Sequence, residues 1–187
     1  ARIYALLSLG FRNPERGVSE LIAQFVESSD RRILSDTHPV TSENLGELMS
    51  ILRDPPSVRE LEAEYDNLFA NSFTGSPCML VREESPEELQ LISSSSYTEL
   101  AKMHPSIMEY LNEEMPKDVP TGLEYLKLLV EQEDLDNYEE IMELEYYLLK
   151  YYLFEWMSGL ADCVEKRTKS KFYRVLARVL RSYMTEE

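Results

Sequence analysis

Apolar residues recur every three or four positions along most of this chain, which is the spacing of one face of an α-helix. The pattern is clear over residues 18–26 and 45–52, where apolar side chains are separated by two or three other residues. After the break at residues 54–56, Ser57 is placed to cap a further helix that carries Tyr65. No alternating run of strand length interrupts these stretches. The pattern therefore predicts one all-α globular domain of roughly ten helices, covering residues 1–187.

Two segments break the helical pattern and are rich in turn-forming residues. Residues 70–84 place glycine and proline close together, yet apolar side chains such as Phe73 offer anchors, so we predict an ordered loop. Residues 118–122 read D-V-P-T-G, and Asp118 is placed to cap the helix that follows.

The last third of the chain predicts three consecutive helices, over residues 135–154, 155–168 and 169–185. The first is apolar on nearly every side from residue 146 to residue 154, which is typical of a helix buried in the middle of a bundle. The last carries an apolar stripe and an arginine stripe, so we expect the arginines to point outward.

The charge of the chain is strongly acidic and unevenly distributed. Thirty-five acidic residues against 19 basic residues give a net charge of −16. Residues 83–145 contribute −15 of this total, residues 1–82 contribute −4, and residues 146–187 contribute +3. Such a field opposes binding to nucleic acid or to an anionic membrane. It is explained either by well-solvated helix faces or by a surface that attracts a basic peptide.

The residue types that carry most enzyme chemistry are scarce. Cys78 and Cys163 are far apart and form no CxxC, so we expect a reducing, cytoplasmic compartment and a Cys163 packed in the core. His38 and His104 belong to no ligand motif, and no phosphate-binding or nucleophile motif is present. No apolar run approaches the roughly 20 residues of a membrane span, and the N-terminus lacks a signal-peptide cleavage region. We therefore expect no catalytic residues, no metal and no cofactor.

Four short motifs then occur in order between residues 57 and 187. Residues 64–69 read E-Y-D-N-L-F and are followed by a proline-containing loop, and residues 123–126 read L-E-Y-L. Residues 153–156 read L-F-E-W, and after fifteen intervening residues 172–177 read F-Y-R-V-L-A. This ordered set resembles the TorD/DmsD/NarJ family of redox-enzyme maturation chaperones, whose motifs are E-Y-x-x-L-F, a Pro-Pro-aromatic loop, L-E-F-L, L-x-x-W and F-Y-R-A-L-A.

The resemblance implies a TorD-like fold and a cytoplasmic chaperone without enzyme activity. The chaperone would be a monomer or a homodimer. Its partner would be an apo-molybdoenzyme or the twin-arginine leader peptide of one, which it would hold until the cofactor is inserted. Ser76-Pro77-Cys78 stands where the family has its Pro-Pro-aromatic loop, and Lys117-Asp118 stands where the family has an Asp-His pair. The peptide-binding residues that we predict are Tyr65, Phe69, Phe73, Ser76, Pro77, Cys78, Asp118, Pro120, Glu124 and Trp156.

Alternatives remain open for several of these residues and for the function. Tyr65, Phe69 and Trp156 could pack in the core, because large aromatic side chains at helical spacing usually do. Asp118 could serve only as a helix cap, and Glu124 could face either way. At the level of function, the alternative is a NarJ-like assembly factor that binds other parts of the enzyme. A nucleotide hydrolase is opposed by the missing phosphate loop and the acidic charge.

Overall fold

The computed structural model describes residues 1–27, 37–70, 78–81, 116, 118–132 and 138–186. Its α-helices are α1 (Arg2–Gly10), α2 (Pro14–Glu27), α3 (Pro39–Arg53), α4 (Val58–Tyr65), α5 (Val119–Gln132), α6 (Tyr138–Leu148), α7 (Phe154–Arg167) and α8 (Lys171–Glu186). A five-residue π-helical turn, Asp66–Ala70, extends α4, and a second, Leu149–Leu153, joins α6 directly to α7. The described part of the chain therefore forms seven continuous helices.

The prediction of an all-α fold is confirmed for this part of the chain. Within the described ranges there is no β-strand, and the only strand-like pairing is an isolated bridge between Val81 and Asp118. The expected total of about ten helices stays a prediction, because residues 82–115 lie outside the described residues. None of the described helices is long and apolar enough to cross a membrane.

Helix α4 begins at the cap that the sequence predicts. The hydroxyl of Ser57 accepts a hydrogen bond from the main-chain nitrogen of Glu60 at 3.3 Å. In return the Glu60 carboxylate accepts one from the main-chain nitrogen of Ser57 at 3.0 Å. These two bonds satisfy N–H groups that the first helical turn otherwise leaves without a partner. The start of α4 is therefore fixed by hydrogen bonds between residues three positions apart.

Two helices, α1 and α8, occupy the centre of the bundle. Helix α8 packs against α7, α3 and α1, and α1 packs in addition against α2 and α5. Helix α8 is buried along most of its length, as the apolar stripe predicts, whereas Arg178 on its other face is exposed. The buried side chains of α8 are Phe172, Tyr173, Val175, Leu176, Ala177, Val179, Leu180, Ser182 and Met184.

The helix predicted over residues 135–154 is not the central one, and it does not end at residue 154. It runs on through the π-helical turn into α7, so that residues 138–167 form one continuous helix. Tyr146 is 54% exposed and Phe154 is 38% exposed. The prediction of burial on every side is therefore wrong, because α8 fills the position in the core and leaves one side of α6 uncovered.

Candidate functional site

Four parts of the chain meet at one corner of the molecule, next to the helices that carry the predicted site. They are the π-helical turn after α4, the short segment 78–81, the start of α5 and the first turns of α7. We call this place the acidic corner and define it by Tyr65, Asp66, Met79, Asp118 and Trp156. The sequence places Tyr65, Asp118 and Trp156 in one site, and the structure brings these three elements together.

Segment 78–81 is held to its neighbours by main-chain hydrogen bonds. The nitrogen of Cys78 donates to the carbonyl of Leu68 at 3.0 Å, and the nitrogen of Val119 donates to the carbonyl of Leu80 at 3.1 Å. Cys78 and Leu80 are buried, whereas the side chains of Met79 and Val81 are 54% and 57% exposed. The segment therefore exposes two apolar side chains to solvent, while main-chain hydrogen bonds to Leu68 and Val119 hold its backbone in place.

Helix α7 holds the same segment from the other side. The indole nitrogen of Trp156 donates a hydrogen bond to the carbonyl of Met79 at 2.9 Å. Two turns further along α7, Cys163 forms a disulfide with Cys78, with Cα atoms 5.6 Å apart. Trp156 and Cys163 thus act on adjacent residues of one segment.

The disulfide corrects the interpretation of the two cysteines. Cys163 packs against the core, as expected, but it is partly exposed and covalently paired, and a stable disulfide is not typical of a reducing cytoplasm. The two residues are 85 positions apart, and pairing across such a distance cannot be deduced from spacing. The only signal in the sequence is that the cysteine count is even.

The electrostatics of the acidic corner favour a cation. Burial, and then the negative charges of Asp118 and Asp66, raise the pKa of the Tyr65 hydroxyl. Partial desolvation, and then its neighbours Glu15 and Asp66, raise the pKa of Glu62. Desolvation is the largest cause of both shifts, and the electrostatic contributions come from carboxylates, of which Asp66 acts on both groups and Asp118 on Tyr65. Among the described lysines and arginines, none forms an ion pair with Asp66 or Asp118.

Asp118 caps helix α5, as one of the two interpretations of the sequence expects. Its Oδ1 accepts a hydrogen bond from the main-chain nitrogen of Thr121 at 2.7 Å, and its carbonyl accepts one from Gly122 at 3.0 Å. A carboxylate has room for several hydrogen bonds, so capping leaves acceptor positions on Asp118 for a second partner. The side chain is partly exposed and retains access to solvent.

The aromatic residues of the predicted site form the wall behind the acidic corner. The ring of Phe69 lies edge-on to those of Tyr65, Tyr173 and Phe11, with centroid distances of 5.0, 6.0 and 6.3 Å. Tyr65, Phe69 and Trp156 are partly buried and pack against the core. The core interpretation therefore holds for part of each side chain, while Trp156 also contacts the segment that forms the corner.

Pro120 and Glu124 face helix α1 rather than the acidic corner. The carbonyl of Pro120 accepts a hydrogen bond from the hydroxyl of Ser8 at 2.9 Å. Glu124 forms ion pairs with Lys127 at 2.9 Å and with Arg12 at 3.8 Å. These contacts give both residues a packing role between α5 and α1. The remaining predicted site residues, Phe73, Ser76 and Pro77, lie outside the described residues.

The peptide-binding residues predicted from the sequence do not include Asp66 and Met79, two of the five residues that define the acidic corner, although Met79 belongs to the loop predicted to offer apolar side chains. Asp66 lies inside the E-Y-D-N-L-F motif, so its proximity to the predicted site could have been found from the motif itself. Met79 follows Cys78 directly, but no pattern in the sequence indicates that its side chain is exposed. Exposure of an apolar residue in a turn depends on what packs over it, which only the tertiary structure shows.

A separate apolar cleft lies between α6 and the end of α8, with a volume of about 380 Å³. Glu145 lines the cleft and is 7% exposed, and its carboxylate accepts a hydrogen bond from the hydroxyl of Tyr4 at 2.6 Å. The amino group of Lys150 lies at the cleft 5.0 Å from the ring centroid of Tyr146. The described residues that line the cleft are Met142, Glu145, Tyr146, Leu149, Lys150, Phe154, Met184 and Thr185.

The described residues contain no group of three or more histidine, cysteine, aspartate or glutamate side chains arranged to hold a metal ion. Comparison of this chain with protein families, curated proteins and solved structures finds no match in any of the three. The residues of the acidic corner are therefore the basis on which a function is inferred.

Proposed function

We propose that this protein is a chaperone that binds a twin-arginine leader peptide, or the apoprotein that carries it, and assists maturation before export or assembly. The observation that carries the proposal is the acidic corner. There, two carboxylates without a lysine or arginine partner in the described part of the chain lie beside exposed apolar side chains. The identity of the client, a molybdenum-cofactor oxidoreductase, rests on the motif resemblance. A cytoplasmic location is part of the proposal, because a leader must be bound before export.

The chemistry of such a leader complements the acidic corner. Adjacent guanidinium groups form strong, often bidentate hydrogen bonds with carboxylates, and Asp66 and Asp118 supply these. The apolar stretch that follows the arginines in a leader needs exposed apolar surface, which Met79 and Val81 supply. Because segment 78–81 is held by Leu68, Val119 and Trp156, the surface is formed before the peptide arrives, which lowers the entropic cost of binding.

The test is a titration of the protein with two leader peptides, one with paired arginines and one with lysines in their place. Lysine keeps the charge but loses the planar fork, so we expect the lysine peptide to bind about tenfold more weakly, or about 1.4 kcal/mol. Asp118→Asn is the matching protein variant. Asparagine caps a helix as well as aspartate does, so α5 is retained and only the charge is lost.

We expect Asp118→Asn and Asp66→Asn each to weaken binding of the arginine peptide and to flatten its dependence on salt. Glu43→Gln is the control, because Glu43 is an exposed carboxylate on α3, outside the acidic corner. If the lysine peptide and both aspartate variants bind as tightly as the originals, the acidic corner does not recognise arginine and the proposal is wrong.

The cleft between α6 and α8 favours a second candidate function, a NarJ-like assembly factor that binds other parts of the client. Exposed aromatic and methionine side chains such as Met142, Tyr146 and Phe154 are typical of a protein-binding surface. This candidate predicts that a client without its leader still binds, and that Tyr146→Glu abolishes this binding. It also predicts that Asp118→Asn leaves the binding unchanged.

A further inference from the structure

We propose that the Cys78–Cys163 disulfide is a thiol–disulfide exchange site whose state sets the affinity of the acidic corner. This inference rests on the proposed function for its effect on the peptide, although the exchange chemistry stands on the disulfide itself. Cys78 is fully buried, whereas Cys163 is partly exposed on α7. Because no part of Cys78 is accessible to solvent, an external thiol can reach the bond only from the Cys163 side.

The disulfide lies where it can influence the position of Met79 and Trp156, two residues of the acidic corner. Cys78 directly precedes Met79, whose carbonyl accepts the hydrogen bond of Trp156 and whose side chain is exposed. Trp156 and Cys163 are seven residues apart on α7, which is two helical turns and thus the same side of the helix. The segment is therefore fastened to α7 at two adjacent residues, covalently at one and by a hydrogen bond at the other.

Reduction by a dithiol proceeds in two balanced steps. A thiolate of the dithiol bonds to Sγ of Cys163, the Cys78–Cys163 bond breaks, and its electron pair leaves with Sγ of Cys78, which takes up a proton. The second thiol of the reductant then attacks the mixed disulfide and releases Cys163. Both cysteines end as thiols, and the dithiol, which has given up two electrons and two protons, ends as a disulfide.

The reduced segment keeps its hydrogen bonds to Leu68, Val119 and Trp156 but loses its covalent link to α7. A looser segment must be ordered again when a peptide binds, so affinity falls on reduction. We infer that the oxidised protein is the tight-binding form. This also gives the disulfide a role in a reducing compartment, where such bonds are typically transient and redox-sensing.

The first experiment measures exchange without any peptide. Single variants each leave one thiol, and we expect Cys163 in Cys78→Ser to react with glutathione disulfide at least about tenfold faster than Cys78 in Cys163→Ser. Trp156 is the sole tryptophan and, from α7, is hydrogen-bonded to the segment, so its fluorescence should change when dithiothreitol reduces the wild-type protein. Equal rates for the two thiols, or a bond that dithiothreitol leaves intact, would overturn the exchange site. Complete reduction without a change in fluorescence would show that the bond does not act on the segment, and would overturn its control of the corner.

The second experiment measures binding of the twin-arginine peptide to the oxidised, reduced and reoxidised wild-type protein. We expect an affinity about tenfold lower in the reduced form, restored on reoxidation. The variant with both cysteines changed to serine should bind like the reduced protein and not respond to dithiothreitol. Circular dichroism of each form checks that the helices remain.

The outcomes separate the two proposals. If the oxidised protein does not bind the peptide, the proposed function fails, while the thiol rates and the reduction by dithiothreitol still decide whether the exchange site exists. If the oxidised and reduced proteins bind equally, or if reduction unfolds the helices, the disulfide does not control the corner and the inference is wrong.

Discussion

The indole nitrogen of Trp156 donates a hydrogen bond to the main-chain carbonyl of Met79, 2.9 Å away, across 77 positions of sequence. This bond gives an apolar ring a polar role, because the ring packs partly against the core while its nitrogen fixes a segment that faces solvent. Tryptophan suits such a boundary, since one end of its side chain is apolar and the other carries a donor.

We expect Trp156→Phe to keep most of the ring packing but to remove this donor. The hydrogen bond is on the surface side of the ring, so water replaces part of it, and the free energy of unfolding should fall by about 0.5–1.5 kcal/mol. Urea unfolding followed by circular dichroism measures this, because the variant has no tryptophan.

Tyr146→Phe is the matched control for Trp156→Phe. It removes an exposed hydroxyl that accepts a hydrogen bond from Lys150 at 2.8 Å, and its effect should stay within about 0.5 kcal/mol. Equal effects of the two variants would show that the bond to Met79 contributes no more than an ordinary surface contact.

Glu64 joins α4 to the turn before α8, and its ionisation should make stability depend on pH. Partial burial opposes the charged form, but hydrogen bonds from the Thr168 hydroxyl at 2.6 Å, the Lys169 nitrogen at 2.5 Å and the Ser170 nitrogen at 3.2 Å outweigh it. The pKa of the carboxyl is therefore lowered. Its stabilisation is fully present above the unfolded-state pKa and is lost as pH falls through the lower folded-state pKa.

Glu64→Gln keeps an acceptor oxygen and removes the charge, so we expect a loss of about 1 kcal/mol at pH 7. Glu64→Ala removes the acceptor as well and should cost more. Thermal unfolding at a series of pH values checks both, because the curves of the wild-type protein and Glu64→Gln should converge as the medium becomes acidic. Curves that stay parallel into the acid range would show that ionisation of Glu64 contributes nothing.

Local features of the fold could be predicted from the sequence, and long-range ones could not. The cap at Ser57 and the buried stripe of α8 follow from interactions within a few residues, and both are confirmed. The sequence wrongly predicts a central position for the helix that begins the stretch 138–167, because hydrophobicity alone does not decide which of two apolar helices lies at the centre of the bundle. Its π-helical turn at Leu149–Leu153 has no clear sequence signal either.

The candidate site shows the same division. The sequence places Tyr65, Asp118 and Trp156 in one site, and the structure brings their three elements together at the acidic corner. Glu124 belongs to the same predicted site and lies one turn inside α5, but its carboxylate forms ion pairs with Lys127 and Arg12 instead. The direction of a side chain on an amphipathic helix depends on its neighbours in space, and for Glu124 those neighbours are Lys127 on α5 and Arg12 in the turn after α1.

Two glycines inside helices should respond oppositely to alanine. A Cβ atom on Gly17 of α2 would lie 2.6 Å from the main-chain oxygen of Leu9, so the backbone of α1 or α2 would have to move. We expect Gly17→Ala to cost about 1–3 kcal/mol, as overpacking does. A Cβ on Gly46 of α3 meets no atom within 4 Å, so Gly46→Ala should stabilise the protein by up to about 1 kcal/mol.

Urea unfolding of the two glycine variants, measured side by side, tests this contrast. Because the substitution is the same in both, the difference between them reports the space around each Cβ and not the helix propensity of alanine. The close approach of α1 to α2 would be contradicted if Gly17→Ala were as stable as Gly46→Ala.

The hydroxyl of Tyr4 donates to the carboxylate of Glu145 at 2.6 Å, and both side chains are buried between α1 and α6. Tyr4→Phe removes this donor from a buried carboxylate, so we expect the free energy of unfolding to fall by about 1–3 kcal/mol. Glu145→Gln keeps an acceptor for the hydroxyl and should cost less. The two single variants and the double variant form a thermodynamic cycle, in which we expect a coupling energy of about 1 kcal/mol or more. Strictly additive effects in urea unfolding would show that the two residues do not stabilise each other.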